Sequence, residues 1–231
     1  ARDEGRLEAG TDLYVEALNR RTDRAWLAEA CRLAVRAGKS DDLLSFFRQQ
    51  KARSPRDVRW AVAVREILTF RGELDAAVAA ARDAVAVAPE REELTRETAA
   101  LLERQGRFRD AADFLEGWAK TRQADEGVAS WRASLYVRAG DVPRALAVER
   151  AAIAASLAAG GDEAEERAGQ RTARAARRFL RLGRAAAAWE LASQGLDAPR
   201  GLDDALSIGE RTEIALRAGA FRRYFARLGG S

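Results

Sequence analysis

Arginine stands two residues before glycine at five places in the chain: Arg36, Arg104, Arg138, Arg181 and Arg217 precede Gly38, Gly106, Gly140, Gly183 and Gly219. A guanidinium group is planar, permanently charged and able to hold a carboxylate or phosphate through two parallel hydrogen bonds, so a ladder of them would bind oxyanions. An arginine in the last turn of a helix also complements the negative end of the helix dipole, whichever way it points. Both readings, ligand contact and helix capping, stand at the level of sequence.

Other chemistry is poorly supplied. The 231 residues contain no histidine, which removes the usual general base, the Ser-His and Cys-His dyads and every His-ligated metal site. Ala37-Gly38-Lys39-Ser40 has the ending of a phosphate-binding loop, but Leu33 stands where that pattern needs its first glycine. Glu163, Glu165 and Glu166 open a predicted helix, where carboxylates favour the dipole. Cys31, the single cysteine, lies on an apolar helical stretch with Trp26, Leu27, Ala30 and Ala34 and reads as a small core residue. No catalytic residue, cofactor or metal is expected, and the chain is read as a non-enzyme. Forty Lys and Arg against 36 Asp and Glu leave a formal charge of +4, too small to imply nucleic acid by itself. No apolar run is long enough to insert in a membrane, and Ala1-Arg2-Asp3-Glu4 is not a signal peptide. The compartment is left open between cytoplasm and bacterial periplasm, the bacterial source being suggested by the alanine and arginine bias of a GC-rich genome. The absence of methionine predicts a segment of a longer protein.

The elements that would position these side chains are set by a period. Gly38, Gly72, Gly106 and Gly140 are spaced by 34 residues each time. Five residues after three of them come Ala77, Ala111 and Ala145, with Leu43 in the first copy; seventeen after the first two come Pro55 and Pro89. Between glycines lie two helical patterns, such as 58–70 and 73–87, rich in strong helix formers. A glycine closing the first helix suits a left-handed C-terminal position, and small residues one turn into the second let the pair approach closely. Each hairpin leaves an apolar stripe that only a stacked neighbour can bury. The register slips once: Gly183 follows Gly140 by 43 residues, so a longer second helix, a Gly160-Gly161 loop and a long helix over 162–182 are expected.

These residues resemble the tetratricopeptide repeat (TPR) family: Gly72, Ala77, Ala84 and Pro89 in one copy, Ala99, Gly106, Phe108 and Ala111 in the next, and Ala133, Tyr136, Gly140, Ala145 and Ala152 in the fourth. Gly38, Phe47 and Pro55 carry the first copy more weakly. The resemblance implies an all-α, right-handed superhelix (solenoid) of antiparallel helix-turn-helix repeats. It would form one array over 1–231, with repeats at 24–57, 58–91, 92–125, 126–168 and 169–204 between partial repeats at 1–23 and 205–231. It also implies a protein-interaction scaffold that binds a peptide or partner helix in a concave groove. The alternative is recognition of a polyanion, an acidic polysaccharide or nucleic acid, as in the periplasmic scaffold of an envelope polysaccharide-export system. Groove residues carried over from the family pattern are Arg32, Arg36, Arg59, Glu66, Phe70, Arg96, Arg104, Arg138, Arg177 and Arg181. The Lys-and-two-Asn clamp with which some relatives hold chaperone tails is missing, since Asn19 is the only asparagine. Partial repeats at both ends are expected to expose apolar helix faces and give weak self-association.

If the arginine ladder faces a ligand, reversing the charge of Arg104 and Arg138 together weakens partner binding by about tenfold or more without loss of helicity. Circular dichroism and a binding isotherm test this, and unchanged affinity would remove both residues from the groove.

Overall fold

A computed structural model describes Leu13, Glu16 and the segments 24–121, 126–158, 160–194 and 205–228. Among the described residues are twelve helices and no strand. The chain divides into two compact units, residues 1–106 and 107–231. The first holds α1 (Arg24–Arg36), α2 (Ser40–Arg53), α3 (Val58–Phe70), α4 (Leu74–Val87) and α5 (Glu92–Arg104). The second holds α6 (Phe108–Thr121), α7 (Glu126–Arg138), α8 (Val142–Leu157), α9 (Asp162–Arg181), α10 (Ala185–Gln194), α11 (Ile208–Arg217) and α12 (Phe221–Leu228). Helices α1, α3, α5 and α7 begin at residues 24, 58, 92 and 126, one 34-residue period apart. The expected helix over 6–19 lies almost wholly outside the described residues.

Within the first unit each helix packs on the next, and α1 also lies against α3. In the second unit the same rule pairs α7 with α9 and α8 with α10 as well as sequential neighbours. This is a stack of antiparallel hairpins, in which first helices neighbour first helices and second helices neighbour second helices. The register slip is absorbed where expected: α8 has 16 residues, Gly160 and Gly161 both take positive φ, and α9 extends to 20 residues against 13 for α7. The hairpin break therefore falls at the Gly160-Gly161 turn and not between residues 168 and 169, a position inside α9.

The reversal between the two helices of a hairpin has one geometry throughout. Gly140 takes φ +82°, its N–H donates to the Val137 carbonyl at 3.0 Å, and the Asp141 N–H donates to the Tyr136 carbonyl at 2.8 Å. That pair of bonds closes the last turn of α7 and needs a left-handed residue at its centre, where a β-carbon would crowd the carbonyl. Asp141 then accepts a hydrogen bond from the Arg144 N–H and starts α8 with Pro143 in its first turn, where a missing N–H costs nothing. Pro55 and Pro89 occupy the turns before α3 and α5 and not the helices themselves.

The small residues after these turns are fully buried: Ala77, Ala111, Ala145 and Ala188 each have no exposed surface. Their size lets α4, α6, α8 and α10 close on their partners. Cys31 is buried in the core of the first unit with Ala30, Ala34, Phe47, Val64 and Ile67, and burial pushes its thiol pKa up, away from a reactive thiolate. Trp60 packs there edge-on to Phe46 at 6.0 Å, whereas Trp26, one period earlier, is half exposed.

Gly140→Ala is expected to lower unfolding free energy by about 1–2 kcal/mol through the left-handed penalty alone, since a β-carbon there meets no atom within 4 Å. Urea denaturation measures it, and a loss near zero would show that the turn adjusts freely.

Candidate functional site

Helices α7 and α9 are the first helices of successive hairpins, and a cleft of about 450 Å³ lies between them. One wall comes from Glu126, Gly127 and Ser130 of α7; the other is Arg174, Arg177, Arg178 and Arg181 of α9. The spacing of these arginines by three and four residues puts them on one helix face. Each is held differently. Arg174 reaches the Glu126 carboxylate at 2.5 Å and remains more than half exposed. Arg178 donates to the Ser130 carbonyl at 3.0 Å and meets the Glu149 carboxylate at 3.0 Å. Arg181 has no ion pair or hydrogen bond to any described side chain and is exposed.

Below this wall sits a buried charge cluster. Glu149 of α8 has no exposed surface and lies between Arg178 and Arg171 of α9, the latter with its Nε at 3.7 Å and also buried. Burial pushes the Glu149 pKa up, while the facing Arg178 and Arg171 pull the other way. The pair ties α9 to α8 from inside, so the outward row of Arg174, Arg177 and Arg181 has a fixed rotation about the helix axis.

Arg177 and Arg181, two of the ten expected groove residues, line this cleft together. Arg177, however, is largely committed elsewhere. Its guanidinium grips Glu210 of α11 at 2.7 and 3.0 Å and donates to the Ala205 carbonyl at 2.6 Å. The same Glu210 completes a capping box, accepting from the Ser207 N–H at 2.9 Å while the Ser207 hydroxyl accepts from the Glu210 N–H. Arg138 stacks over the Phe108 ring at 4.0 Å, joining α7 to the start of α6.

In the first unit the expected residues are dispersed into local pairs. Arg32 binds Glu29 in α1, Arg59 binds Asp57 at the start of α3, and Arg96 binds Glu92 in α5. The Arg59 hydrogen bond to the Asp57 carboxyl holds its pKa below the usual range. Glu66 accepts from Arg65 at 3.0 Å, and Arg65 in turn reaches Glu97 of α5. Arg65 is 4% exposed and stands seven residues before Gly72, where the other hairpins carry Cys31, Ala99, Ala133 or Ala176. Arg36 and Arg104 are exposed in the last turns of α1 and α5, and Phe70 is partly exposed at the end of α3. No cavity gathers them among the described residues. Sequence reasoning missed Arg174 and Arg178, although the recurrence of Arg167, Arg171, Arg174, Arg178 and Arg181 at helical spacing is visible in the sequence. Among the described residues no group of metal-ligating side chains occurs, and no helix is long and apolar enough to cross a membrane.

No protein-family model matches the sequence, and no curated protein is significantly similar to it. Solved structures do share the fold. Over 98% of its length the chain superposes on 35% of a chain in the structure of Naa15/Naa10 bound to HypK-THB, with a TM-score of 0.57 at 13% identity. The chain thus spans about a third of the length of that protein. A tetratricopeptide repeat protein from Parabacteroides merdae ATCC 43184 aligns over 94% of this chain and 82% of its own, with 15% identity and a TM-score of 0.43. YrrB, a TPR protein with an unusual peptide-binding site, aligns over 80% of this chain and 91% of its own, with 12% identity and a TM-score of 0.41. The architecture is an all-α, TPR-like helical repeat.

Glu210 supplies a pH test of the α9–α11 tie. Arg177, and after it the Ser207 N–H, hold its pKa at about 2 against 4.5 for an ordinary glutamate. A carboxylate depressed in the folded state stabilises fully above its unfolded pKa, and that contribution drains away as pH falls from 4.5 towards 2. Thermal melts over this window should show wild type losing more stability than Glu210→Gln; parallel curves would show that the tie contributes nothing.

Proposed function

We propose that this TPR-like chain is a non-catalytic interaction scaffold that takes a peptide or a partner helix on the face built by its first helices. The observation that carries this reading is the α7–α9 cleft: two neighbouring first helices leave an open channel whose walls offer charged groups and a hydroxyl. A rigid stack presents such a channel without a folding cost at the moment of binding, so many weak contacts sum to useful affinity. The arginine wall favours a partner that brings acidic side chains, with Arg174 and Arg181 as the groups best placed to meet them. Arg177 and Arg178 raise the local potential while remaining engaged with Glu210 and Glu149.

Polyanion binding is the second reading, favoured by the same four arginines. Glu126, set on the opposite wall and paired with Arg174, opposes it, because a uniformly charged polymer would meet that carboxylate as well. Salt separates the two. Binding to nucleic acid or acidic polysaccharide falls steeply with ionic strength through counterion release, whereas a peptide held by mixed contacts responds weakly.

Peptides selected from a display library against the immobilised chain provide the probe, with heparin and a single-stranded oligonucleotide as polyanions. The selected peptides are expected to be acidic and to bind Arg174→Glu/Arg181→Glu about tenfold or more weakly, with only modest loss between low and physiological salt. Tight heparin or oligonucleotide binding that collapses with salt would replace the peptide reading with the polyanion one. Selected peptides indifferent to both substitutions would overturn the cleft as the binding face.

A further inference from the structure

A second cavity, of about 560 Å³, opens on other helices of the same unit, between α6, α7 and α8. The groups around it are not mutually satisfied. The fully buried Tyr136 places its hydroxyl 2.9 Å from Asp113 Oδ1 and 2.6 Å from Glu116 Oε2. A hydroxyl carries one proton and donates it to one acceptor at a time, so one of these carboxylate oxygens faces a lone pair. Lys120 and Arg144 neutralise Glu116 and Asp113 from the rim, each at 3.2 Å, without removing that surplus of acceptors.

Arg132, which also lines the cavity from α7, has the opposite deficit. It forms no ion pair or hydrogen bond with any described side chain, and its Nε–H is closed off from solvent with no acceptor. A buried donor left without an acceptor is a direct demand for one. Its charge is close enough to act on both Glu116 and Glu149. The cavity therefore holds an unmet donor and an unmet acceptor side by side.

The rest of the lining is small and apolar. Gly117 of α6 faces Ala147, Val148 and Ala151 of α8. Glycine is a poor residue for a helix interior, and packing does not demand it here, since a β-carbon at Gly117 would meet nothing within 4 Å. Its effect is to leave the cavity open. The volume suits a single small molecule, and the lining matches the general recipe of an apolar pocket with a few convergent polar groups.

We propose that this cavity binds a free α-amino acid with an apolar side chain, its ammonium on Asp113 and Glu116, its carboxylate on Arg132 and its side chain over Gly117 and Ala147. An α-amino acid carries a strong donor and a strong acceptor on one carbon, which meets both deficits at once. A simple carboxylate would leave the acidic side unmet, and an amine would leave Arg132 unmet. The site is independent of the α7–α9 cleft and does not require that the cleft bind a peptide.

The test uses the full chain with L-leucine, leucinamide and N-acetyl-leucine, by thermal melting and titration calorimetry. L-Leucine at about ten times its Kd should raise the melting temperature by roughly 3–5 °C, while the two blocked forms should not. Arg132→Gln should abolish the shift. Gly117→Leu should abolish it too, while leaving the free protein at least as heat-stable as wild type, so that its loss of binding is not a loss of fold. No shift and no heat with any of the common amino acids at millimolar concentration would overturn the proposal. So would N-acetyl-leucine binding as well as leucine, or a shift that survives both substitutions.

Discussion

The left-handed turn that ends each first helix is the constraint on which the rest of the structure depends. A backbone reversal at Gly38, Gly72, Gly106, Gly140, Gly183 and Gly219, always with positive φ, delivers the second helix in the same relation to the first. Once that relation is fixed, the residue five positions on must be small, because it is the first to meet the partner helix. The buried alanines at 77, 111, 145 and 188 are the consequence. The hairpins can then stack only with like helices adjacent, and a cleft between first helices follows from the stacking and not from any special sequence.

Backbone and small-residue requirements are local, and this part of the protein was legible in the sequence. Four glycines at one spacing placed the helix starts at 24, 58, 92 and 126, and the nine extra residues before Gly183 gave the long α9. The destinations of long charged side chains were not legible, for a physical reason. Arg65 meets Glu97, Arg150 meets Glu190, Lys51 meets Asp83 and Arg174 meets Glu126, partners 32 to 48 residues away. A flexible side chain several ångströms long chooses among carboxylates brought near by packing, and helical register fixes only the base from which it reaches. Arg177 shows this well. It sits at an expected groove position and lines the cleft, yet two of its nitrogens are spent on Glu210 and the Ala205 carbonyl.

Most arginines here join one helix to another or close a helix end. That use accounts for their abundance without any ligand, and it agrees with a net charge of only +4. Exposed pairs of this kind each contribute little to stability, typically below about 1 kcal/mol. They act more as choices of neighbour: a wrong register would set like charges together. The informative arginines are the few left over, Arg181 beside the cleft and Arg132 beside the second cavity. Neither was separable from the others by residue type or by spacing.

The buried cluster at Glu149 bears on why the cleft is orderly. Taking a carboxylate and two guanidinium groups out of water is costly, and apolar residues of similar volume would often serve stability equally well. What apolar residues would not do is fix the rotation of α9. Alanine dominates the buried face of this helix at 164, 168, 173, 175 and 176, and methyl groups so small and so alike discriminate poorly between neighbouring rotations. A single carboxylate that must sit between Arg171 and Arg178 admits only one. With α9 locked in that rotation, Arg174 and Arg181, one turn to either side of the anchored pair, are held at the cleft. The ionic cluster thus supplies an orientation that a smooth alanine surface lacks, and it is this orientation, more than the charge itself, that turns a helix with arginines into a binding wall.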